Sequence, residues 1–477
     1  MVAARCGPRW RENRMNGTAC ASLIVMLSVA LTGCNRSPQQ SSTPQPAPVA
    51  TTAPEKPAGA RAYSDQDISD AWIYLLGRLL VLRQQKADLA EGMKWNEIAH
   101  RKPGAVDWPN PNLDVAYSEA WVAVDENSCT VVTVPKISGR YYTVQFLNGW
   151  GETVANINER TQPAQPSGEF AICLTGAAVA LPKGVTRIDV PVKYMRMLAR
   201  VELGDDWNQA VSLQHKFALR ALGAPGTPSL PPVVAFDQQH LPGADAFDNV
   251  VQVLDSERDI NPGMEPVAAK ARAIGAGIQD PAERERVEKV VREKAHADLL
   301  KASPTVGHGT LRNGWARPAV AGTYGDDWLG RTLVNLGGIW ANRMDEVVYY
   351  KGNLDSTGTQ LNGDNAYTMT FPKDALPPSY ADYFWSVIAV DPVFARVLPN
   401  PKNRFLLNRE SGLKHNADGS LTLYFAPEKP SDAPDQNWLP TPKGKDYRLT
   451  FRFYGPKLGV KDGTYYPPEL LKQPTQR

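Results

Sequence analysis

The amino-acid sequence predicts a mainly β protein with helical segments, in which two strand-rich blocks flank a helical one. Short β-prone runs lie between residues 130 and 203 and return beyond residue 346, with glycine and proline between them. Helical repeats occupy the region between the two blocks. The 477 residues include 40 prolines and 37 glycines, which is more than a helical bundle tolerates and indicates many turns.

A well-marked helix precedes the first strand block. Ser64 stands three positions before Asp67, which is the spacing of a capping box. Apolar side chains then recur at helical intervals, at Ile68, Trp72, Leu75, Leu76, Leu79 and Leu82. We therefore expect a helix to begin just after Ser64.

The first strand block contains several short runs of β-branched and aromatic residues. They are predicted at 130–134, 141–147, 170–174 and 197–203. No helical repeat separates these runs, so the block is typical of a β-sandwich rather than of alternating β-α units.

The middle region contains two predicted helices. Asp280, Pro281 and Glu283 take the N-cap, first-turn and third positions of one helix. A second helix is predicted over residues 328–342.

The second strand block shows strict alternation. Residues 367–371 alternate, and so do residues 447–453, where Arg448 and Arg452 fall on the face opposite Tyr447, Leu449 and the phenylalanines. Alternation of this kind predicts strands with one face packed on a core.

These patterns divide the chain into five regions. The regions are a signal peptide (1–33), a Ser/Pro/Thr/Gln-rich tether expected to be disordered (34–63), an N-terminal helix with a β-sandwich (64–215), a helical middle (216–345) and a C-terminal β-domain (346–470).

The N-terminus is typical of an export signal. Four arginines precede an apolar stretch at residues 19–32 that is too short to span a bilayer. The stretch ends in Leu-Thr-Gly-Cys34, which resembles the lipobox of bacterial lipoproteins. The resemblance implies cleavage before Cys34, lipid attachment to its thiol and anchoring in the cell envelope, and Asn35 favours the outer membrane facing the periplasm. The alternative is an ordinary secretory signal with a chance cysteine.

The net charge limits the possible partners of the protein, and the two remaining internal cysteines bear on its cellular compartment. The net charge of +2 becomes about −1 without residues 1–33, and neither value favours a nucleic-acid partner. Cys129 and Cys173 lie in or beside predicted strands. In an oxidising compartment they form either a disulfide or two separate buried thiols.

Searches for catalytic and cofactor motifs find none that is specific. The six histidines show no metal-binding spacing, and the chain lacks a nucleophile elbow, a phosphate-binding loop and a dinucleotide fingerprint. The sequence therefore predicts neither a metal site nor a cofactor.

Clusters of polar and aromatic residues remain as candidates for a small-ligand site. The candidate ligand-binding residues are Asn112, Tyr117, Arg140, Tyr142, Trp385, Asn437 and Trp438, and Asp114 is the candidate acid/base residue. Such residues orient a small or carbohydrate-like ligand by hydrogen bonds and ring stacking. The alternative is that they stabilise turns and fill the cores of the sandwiches.

The same motifs resemble a bacterial family that pairs the domain of unknown function 1254 with the domain of unknown function 1214. The first domain's motifs are Asn112-x-Asp114-x-x-Tyr117, Gly139-Arg140-Tyr141-Tyr142-x-x-Gln145 and Gly204-Asp205-Asp206. The second domain's motifs are Phe384-Trp385-Ser386, Asp418-Gly419-Ser420-Leu421 and Asn437-Trp438-Leu439-Pro440. The resemblance implies an immunoglobulin-like N-terminal sandwich with a helical insertion and a jelly-roll-like C-terminal sandwich.

Three functional hypotheses follow. The first is an envelope lipoprotein that binds, or binds and processes, a small or carbohydrate-like ligand in a cleft between two β-domains. The second is a non-catalytic structural or protein-interaction lipoprotein. The third is a hydrolase in which Asp114 acts as acid/base. The oligomeric state stays open.

Overall fold

The computed structural model describes residues 62–106, 109–400 and 402–474. The predicted signal peptide, Cys34 and nearly all of the predicted tether lie outside the described residues. Within the described ranges, no helix combines the length and the apolar character that a membrane crossing requires.

The described residues form seven α-helices and 19 β-strands. The helices are α1 (Asp65–Ala90), α2 (Trp207–Gln214), α3 (Val250–Asp255), α4 (Glu265–Gly277), α5 (Pro281–Val290), α6 (His296–Ala302) and α7 (Trp328–Gly337), and a π-helical turn (Val291–Ala295) joins α5 to α6. The first ten strands are β1 (Ala99–His100), β2 (Val115–Ala123), β3 (Cys129–Val134), β4 (Tyr142–Leu147), β5 (Thr153–Ile157), β6 (Gly168–Leu174), β7 (Thr186–Val190), β8 (Tyr194–Glu202), β9 (Ala218–Leu222) and β10 (Thr310–Arg312). The others are β11 (Trp315–Arg317), β12 (Val347–Gly352), β13 (Tyr367–Phe371), β14 (Trp385–Val390), β15 (Leu406–Asn408), β16 (Leu421–Ala426), β17 (Trp438–Pro440), β18 (Arg448–Tyr454) and β19 (Leu471–Lys472).

The N-terminal strands form a β-sandwich, as the sequence predicts. One sheet has the strand order β1-β2-β8-β4-β5 and the other has the order β7-β6-β3-β9. Alternate residues of β2 and β4, such as Val122 and Phe146, pack against Phe170 and Ile172 of β6 in one buried cluster. The mainly β fold class is therefore confirmed.

A second sandwich occupies the C-terminal region. Its larger sheet has the order β10-β11-β12-β18-β14-β15, and its smaller sheet has the order β17-β16-β13-β19. Trp385, Phe451 and Phe453 of the larger sheet pack against Met369 and Leu423 of the smaller one.

Helix α1 lies at the centre of a helical layer. The Ser64 hydroxyl accepts a hydrogen bond from the Asp67 amide, and the Asp67 carboxylate accepts one from the Ser64 amide, so the predicted capping box is present. The helix is buried on all sides between Ile68 and Leu82, because α4, α5 and α7 pack around it. A helix that is apolar all round belongs inside a layer rather than on its surface.

The structure corrects one predicted helix end. Helix α7 stops at Gly337 instead of continuing to residue 342. Ile339 and Trp340 follow with φ values of 45° and 55°, which no α-helix accommodates.

The two sandwiches also extend past the boundaries expected at residues 215 and 346. Strand β9 pairs with β3 in the N-terminal sandwich, and β11 pairs with β12 in the C-terminal one. Trp315 of β11 is fully buried in the C-terminal core, so residues 310–317 belong to that sandwich rather than to the helical middle.

Candidate functional site

The outer faces of the two largest sheets are buried, although they carry charged side chains. In β8, Arg196, Arg200 and Glu202 alternate with core residues, and all three are at most 5% exposed. Arg448 and Arg452 of β18 are buried in the same way on the C-terminal side. These faces are covered by α1, by the residues after α7 and by each other's domain, which creates a polar interface inside the protein.

Residues 110–112 fasten the two domains together at this interface. The Asn112 amide donates a hydrogen bond to the Tyr454 hydroxyl at 2.7 Å. The Arg452 guanidinium donates to the carbonyl oxygens of Pro111 at 2.9 Å and Asn110 at 3.3 Å. These bonds satisfy backbone acceptors that burial would otherwise leave without partners.

Two clefts open along the interface, on either side of this segment. The large cleft has a volume of about 650 Å³ and the small cleft about 300 Å³. Asn112, Val115 and Tyr117 line the large cleft, whereas Leu113 and Asp114 line the small one. Neighbouring residues of one short segment therefore face two different cavities.

The large cleft combines an apolar wall with an excess of basic side chains. Val115, Leu198, Val334, Ile339 and Trp340 contribute apolar surface. The ionisable lining residues are basic at Arg83, Arg101, Lys102, Arg200, Lys351 and Arg396, and acidic at Asp88, Glu91 and Glu119.

The acidic residues of the large cleft already have ionic partners. Asp88 lies 2.9 Å from Arg196, and Glu119 lies 2.6 Å from Arg196 and 2.9 Å from Arg101. Glu91 lies 4.0 Å from Arg101. Arg101 is consequently the one basic lining residue that forms an ion pair with a described residue.

Lys351 has the most unusual environment of these basic residues. It is partly buried on β12, opposite Thr450 of β18, and its amine has neither a hydrogen bond nor an ion pair among the described residues. Burial lowers the pKa of Lys351 to about 7, and the nearby Arg448 guanidinium contributes in the same direction. A large fraction of this side chain is a neutral amine near neutral pH.

Left-handed backbone shapes the wall beside Lys351. Ile339 is β-branched, so its positive φ is costly and has to be imposed by the surrounding contacts. One such contact is the bond that the Trp340 carbonyl oxygen accepts from Arg200 at 3.2 Å. The buried Trp340 indole N–H has no acceptor among the described residues, although the side chain lines the cleft.

Carboxylates dominate the small cleft. Asp114, Glu202 and Glu410 line it, together with one basic residue, Arg404, and with Asn408 and the half-exposed Trp207. One oxygen of Asp114 accepts a hydrogen bond from Asn408 at 2.8 Å, and the other has no partner among the described residues. Burial raises the pKa of Asp114, and Ser386 and Arg452 offset part of that rise.

Glu202 has stronger contacts in the small cleft than Asp114. Its carboxylate accepts a bond from the Tyr141 amide at 2.8 Å and lies 2.7 Å from the Arg409 guanidinium. Burial still raises the pKa of Glu202. Among the described residues, no group of three or more His, Cys, Asp or Glu side chains is placed to hold a metal ion.

Comparison with known families assigns both β-regions. Residues 95–221 match the protein family of unknown function DUF1254, and residues 346–458 match the protein family of unknown function DUF1214. The chain belongs to the DUF1254–DUF1214 proteins. This confirms the predicted two-domain family.

Two solved structures resemble this DUF1254–DUF1214 protein. The VPA0106 protein of Vibrio parahaemolyticus is 21% identical, with 86% of this chain and 100% of that chain covered and a TM-score of 0.59. A putative uncharacterized protein from Burkholderia cenocepacia is 14% identical, with 84% and 86% covered and a TM-score of 0.41. The Vibrio structure shows that the fold is shared. No curated protein matches the chain.

Within the DUF1254 domain, the predicted site residues separate into three groups. Asn112 and Tyr117 line the large cleft, and Asp114 lines the small one. Arg140 lines neither, because its guanidinium donates to the carbonyl oxygens of Glu202 and Leu203 and so holds the end of β8. Tyr142 is buried in the sandwich core and donates to the Pro166 carbonyl oxygen at 2.8 Å.

Within the DUF1214 domain, the three predicted ligand-binding residues are structural. Trp385 packs on Phe451 in the core at 5.5 Å between ring centroids. The Asn437 side chain bonds to backbone groups of Lys414 and Thr422. The Trp438 indole donates to the Ala426 carbonyl oxygen. None of them lines either cleft, so the expected single site of rings and polar groups is not formed.

Cys129 and Cys173 are directly opposite each other on β3 and β6, and the structure joins them by a disulfide. Their Cα atoms lie 4.6 Å apart and both residues are fully buried. Of the two alternatives that the sequence left open, the structure contains the bridge.

Apart from Asp114, the residues that give the clefts their charge were not predicted from the sequence. Lys351, Arg200 and Glu202 lie in strands where they alternate with core residues. Alternation alone is typical of a solvent-facing side of a sheet, so it gave no signal of burial. The signal that could have singled out Arg200 was the repeated occurrence of arginine in a long strand of each domain, at Arg196 and Arg200 in β8 and at Arg448 and Arg452 in β18.

Proposed function

We propose that this protein binds a small anionic organic molecule in the large cleft between its two β-domains. The observation that carries the proposal is the surplus of basic residues in a cavity of about 650 Å³, whose acidic residues already have partners. A volume of this size is ordinary for a small-ligand pocket. An anion would supply the counter-charge that the described residues do not.

The composition of the walls supports a ligand with both an acidic and an apolar or ring-shaped part. Trp340, Leu198 and Val115 offer surface for a ring, and the Trp340 indole offers a free donor. An aromatic carboxylic acid and an acidic sugar both combine these features. A concave polar cleft supports ligand binding better than it supports a purely structural or protein-interaction role.

Isothermal titration of the full-length protein with mandelate, glucuronate and glucose tests this function. We expect saturable binding of at least one of the two anions, and no saturable binding of neutral glucose. Lys351→Met should weaken the anion's affinity by about tenfold or more, since a hydrogen bond to a charged group contributes about 1.5–3 kcal/mol. Lys373→Met, which changes an exposed lysine outside both clefts, is the matched control. Equal affinities in the two variants would reject the large cleft as the site.

A hydrolase that uses Asp114 is the second candidate. The free oxygen of Asp114, its raised pKa and its position in the small cleft favour acid/base chemistry there. Activity against a panel of chromogenic glycosides and esters, with Asp114→Asn as the test variant, examines this candidate. Hydrolysis that survives the substitution undiminished would exclude it.

We also infer that the chain is a cell-envelope lipoprotein anchored through Cys34 in the outer membrane and facing the periplasm. The buried disulfide supports an oxidising compartment, and the lipobox-like sequence supports the anchor. Acyl labelling of wild type and Cys34→Ala, with and without globomycin, tests the anchor, and fractionation of the membranes tests its location. A wild-type protein that remains unlabelled in the cytosol would refute the inference.

A further inference from the structure

We propose that Lys351 is a nucleophile that captures a carbonyl-bearing organic acid in the large cleft by forming an imine with it. This inference rests on the proposed function, because it needs the same cleft to admit a small anion. It adds the substrate class, a 2-oxo acid or a similar acidic aldehyde or ketone, and it assigns a covalent role to one side chain.

The position of the amine is the first argument. Lys351 extends from the outward face of β12 into the cleft, and no described carboxylate, carbonyl or hydroxyl group bonds to it. Its Nζ lies 3.4 Å from the place where a Cβ atom on Gly337 would be. The absence of a side chain at Gly337 therefore leaves that side of the amine open.

The chemical state of the amine is the second argument. Reaction with a carbonyl group requires the neutral amine, and an ordinary lysine with a pKa of about 10.4 is almost entirely protonated at pH 7. Because the pKa of Lys351 is lowered to about 7, its neutral fraction at that pH is on the order of a thousandfold larger. Burial without an ionic partner is a recognised means of activating a lysine as a nucleophile.

The remaining cleft residues fit the acidic part of such a substrate. Arg200 lines the same cavity without an ion pair among the described residues, and its guanidinium is held by Gln145 and by the Trp340 carbonyl oxygen. A carboxylate adjacent to the carbonyl group would meet this basic wall while the amine meets the carbonyl carbon.

The reaction balances without an oxidant or a reductant. The lone pair of Nζ adds to the carbonyl carbon, and a proton passes from nitrogen to the carbonyl oxygen to give a carbinolamine. Solvent then protonates the hydroxyl group, which leaves as water while the nitrogen lone pair forms the carbon–nitrogen double bond, and the nitrogen returns its remaining proton to solvent. One amine and one carbonyl compound thus give one imine and one water molecule, and the reverse reaction releases the ligand.

Reductive trapping of the full-length protein tests the proposal. The protein is incubated at pH 7 with phenylglyoxylate and cyanoborohydride, and the intact mass and peptide map are recorded over time. We expect one adduct per chain at Lys351, formed about tenfold to a hundredfold faster than at Lys373. Its rate should rise with pH to a plateau just above 7.

Two variants and one non-reactive analogue separate the outcomes. Lys351→Arg keeps the positive charge and should give no fast adduct, and Gly337→Ala, which adds a methyl group beside the amine and contacts no other residue closely, should slow trapping. Mandelate has a hydroxyl group where phenylglyoxylate has its carbonyl. Saturable mandelate binding without a fast adduct at Lys351 would overturn the imine proposal and leave the proposed function intact. An absence of both would overturn the two together.

Discussion

The two clefts lie along one interface, yet basic side chains are in excess in one and acidic side chains in the other. In the large cleft, basic side chains outnumber acidic ones and the acidic ones are already paired. In the small cleft, Asp114, Glu202 and Glu410 gather, and one oxygen of Asp114 is free. The difference shows that burial alone does not decide the chemistry of this interface. In the large cleft, the acidic residues take their partners, Arg101 and Arg196, from their own side of the interface. In the small cleft, Asp114 and Glu202 take theirs, Asn408 and Arg409, from the opposing domain.

The segment 110–115 is what keeps the two electrostatic environments apart. Residues 110–112 and Val115 line the large cleft, Leu113 and Asp114 line the small one, and Arg452 and Tyr454 of the other domain hold the segment in place. Changes at the segment's anchor should therefore affect both clefts, whereas changes inside one cleft should leave the other as it is.

Removal of the anchor should have the largest effect. Arg452→Met leaves the carbonyl oxygens of Pro111 and Asn110 without their donors in a buried interface, which should lower the free energy of unfolding by about 3 kcal/mol. Urea denaturation measures this loss. Arg258→Met, at an exposed arginine without a hydrogen bond or ion pair among the described residues, should change it by less than about 0.5 kcal/mol. Equal effects in the two variants would contradict the anchoring role.

The next prediction concerns the amine of the large cleft and has a definite sign with pH. Lys351 binds its proton less tightly in the folded than in the unfolded protein. Its protonated amine therefore destabilises the folded state fully below pH 7, and this destabilisation decreases as the pH rises toward 10.4. Arg448 is the charged group that lowers its pKa, Tyr349 lies two residues before it on the same strand, and Arg200 and Arg396 line the same cleft. Lys351→Met should stabilise the fold by about 2 kcal/mol at pH 6, after allowance for partial exposure, and by almost nothing at pH 10. A stabilisation that is independent of pH in urea titrations would contradict the lowered pKa.

The carboxylate of the small cleft should show the opposite trend. Asp114 has a raised pKa when folded, so its contribution to stability is present at low pH and is lost as the pH rises through that value. Asp114→Asn should therefore stabilise the fold at pH 7 by about 1 kcal/mol and lose this advantage near pH 4. Thermal unfolding at the two pH values checks the trend. If both cleft variants respond to pH in the same direction, the electrostatic contrast between the clefts is wrong.

The smallest expected effect is at the rim of the small cleft. Trp207 is 50% exposed at the start of α2, so Trp207→Ala should change the free energy of unfolding by less than about 0.5 kcal/mol. It should also leave anion binding in the large cleft unchanged in a calorimetric titration. Weaker anion binding in this variant would place the ligand in the small cleft instead.

Local sequence signals were sufficient for much of the fold. The capping box at Ser64 and the Asp280-Pro281 helix start are present as predicted, because caps and first-turn residues act within four positions of the chain. The alternation in residues 367–371 also corresponds to a strand with the expected buried face. Both kinds of signal depend only on near neighbours.

Much less of the candidate site could be predicted by the same reasoning. Trp385 and Trp438 resemble ligand-stacking residues in sequence. In the structure, however, the Trp385 ring packs in the core of the C-terminal sandwich, and the Trp438 indole donates a hydrogen bond to the neighbouring strand. Conversely, Arg200 and Lys351 resemble surface residues of alternating strands, although the partner domain covers them. Which face of a sheet is covered depends on how two distant domains pack, and no periodicity within one strand encodes that.

Strands β10 and β11 lie outside the matched DUF1214 region, yet they complete the edge of the C-terminal sheet. A recombinant fragment cut at residues 346–458 would lose Trp315 from its core and expose the backbone at the end of β12, where Lys351 and Gly352 pair with β11. Such a fragment should self-associate through this exposed strand edge. The region matched to DUF1214 is therefore shorter than the C-terminal sandwich, which also contains β10, β11 and β19.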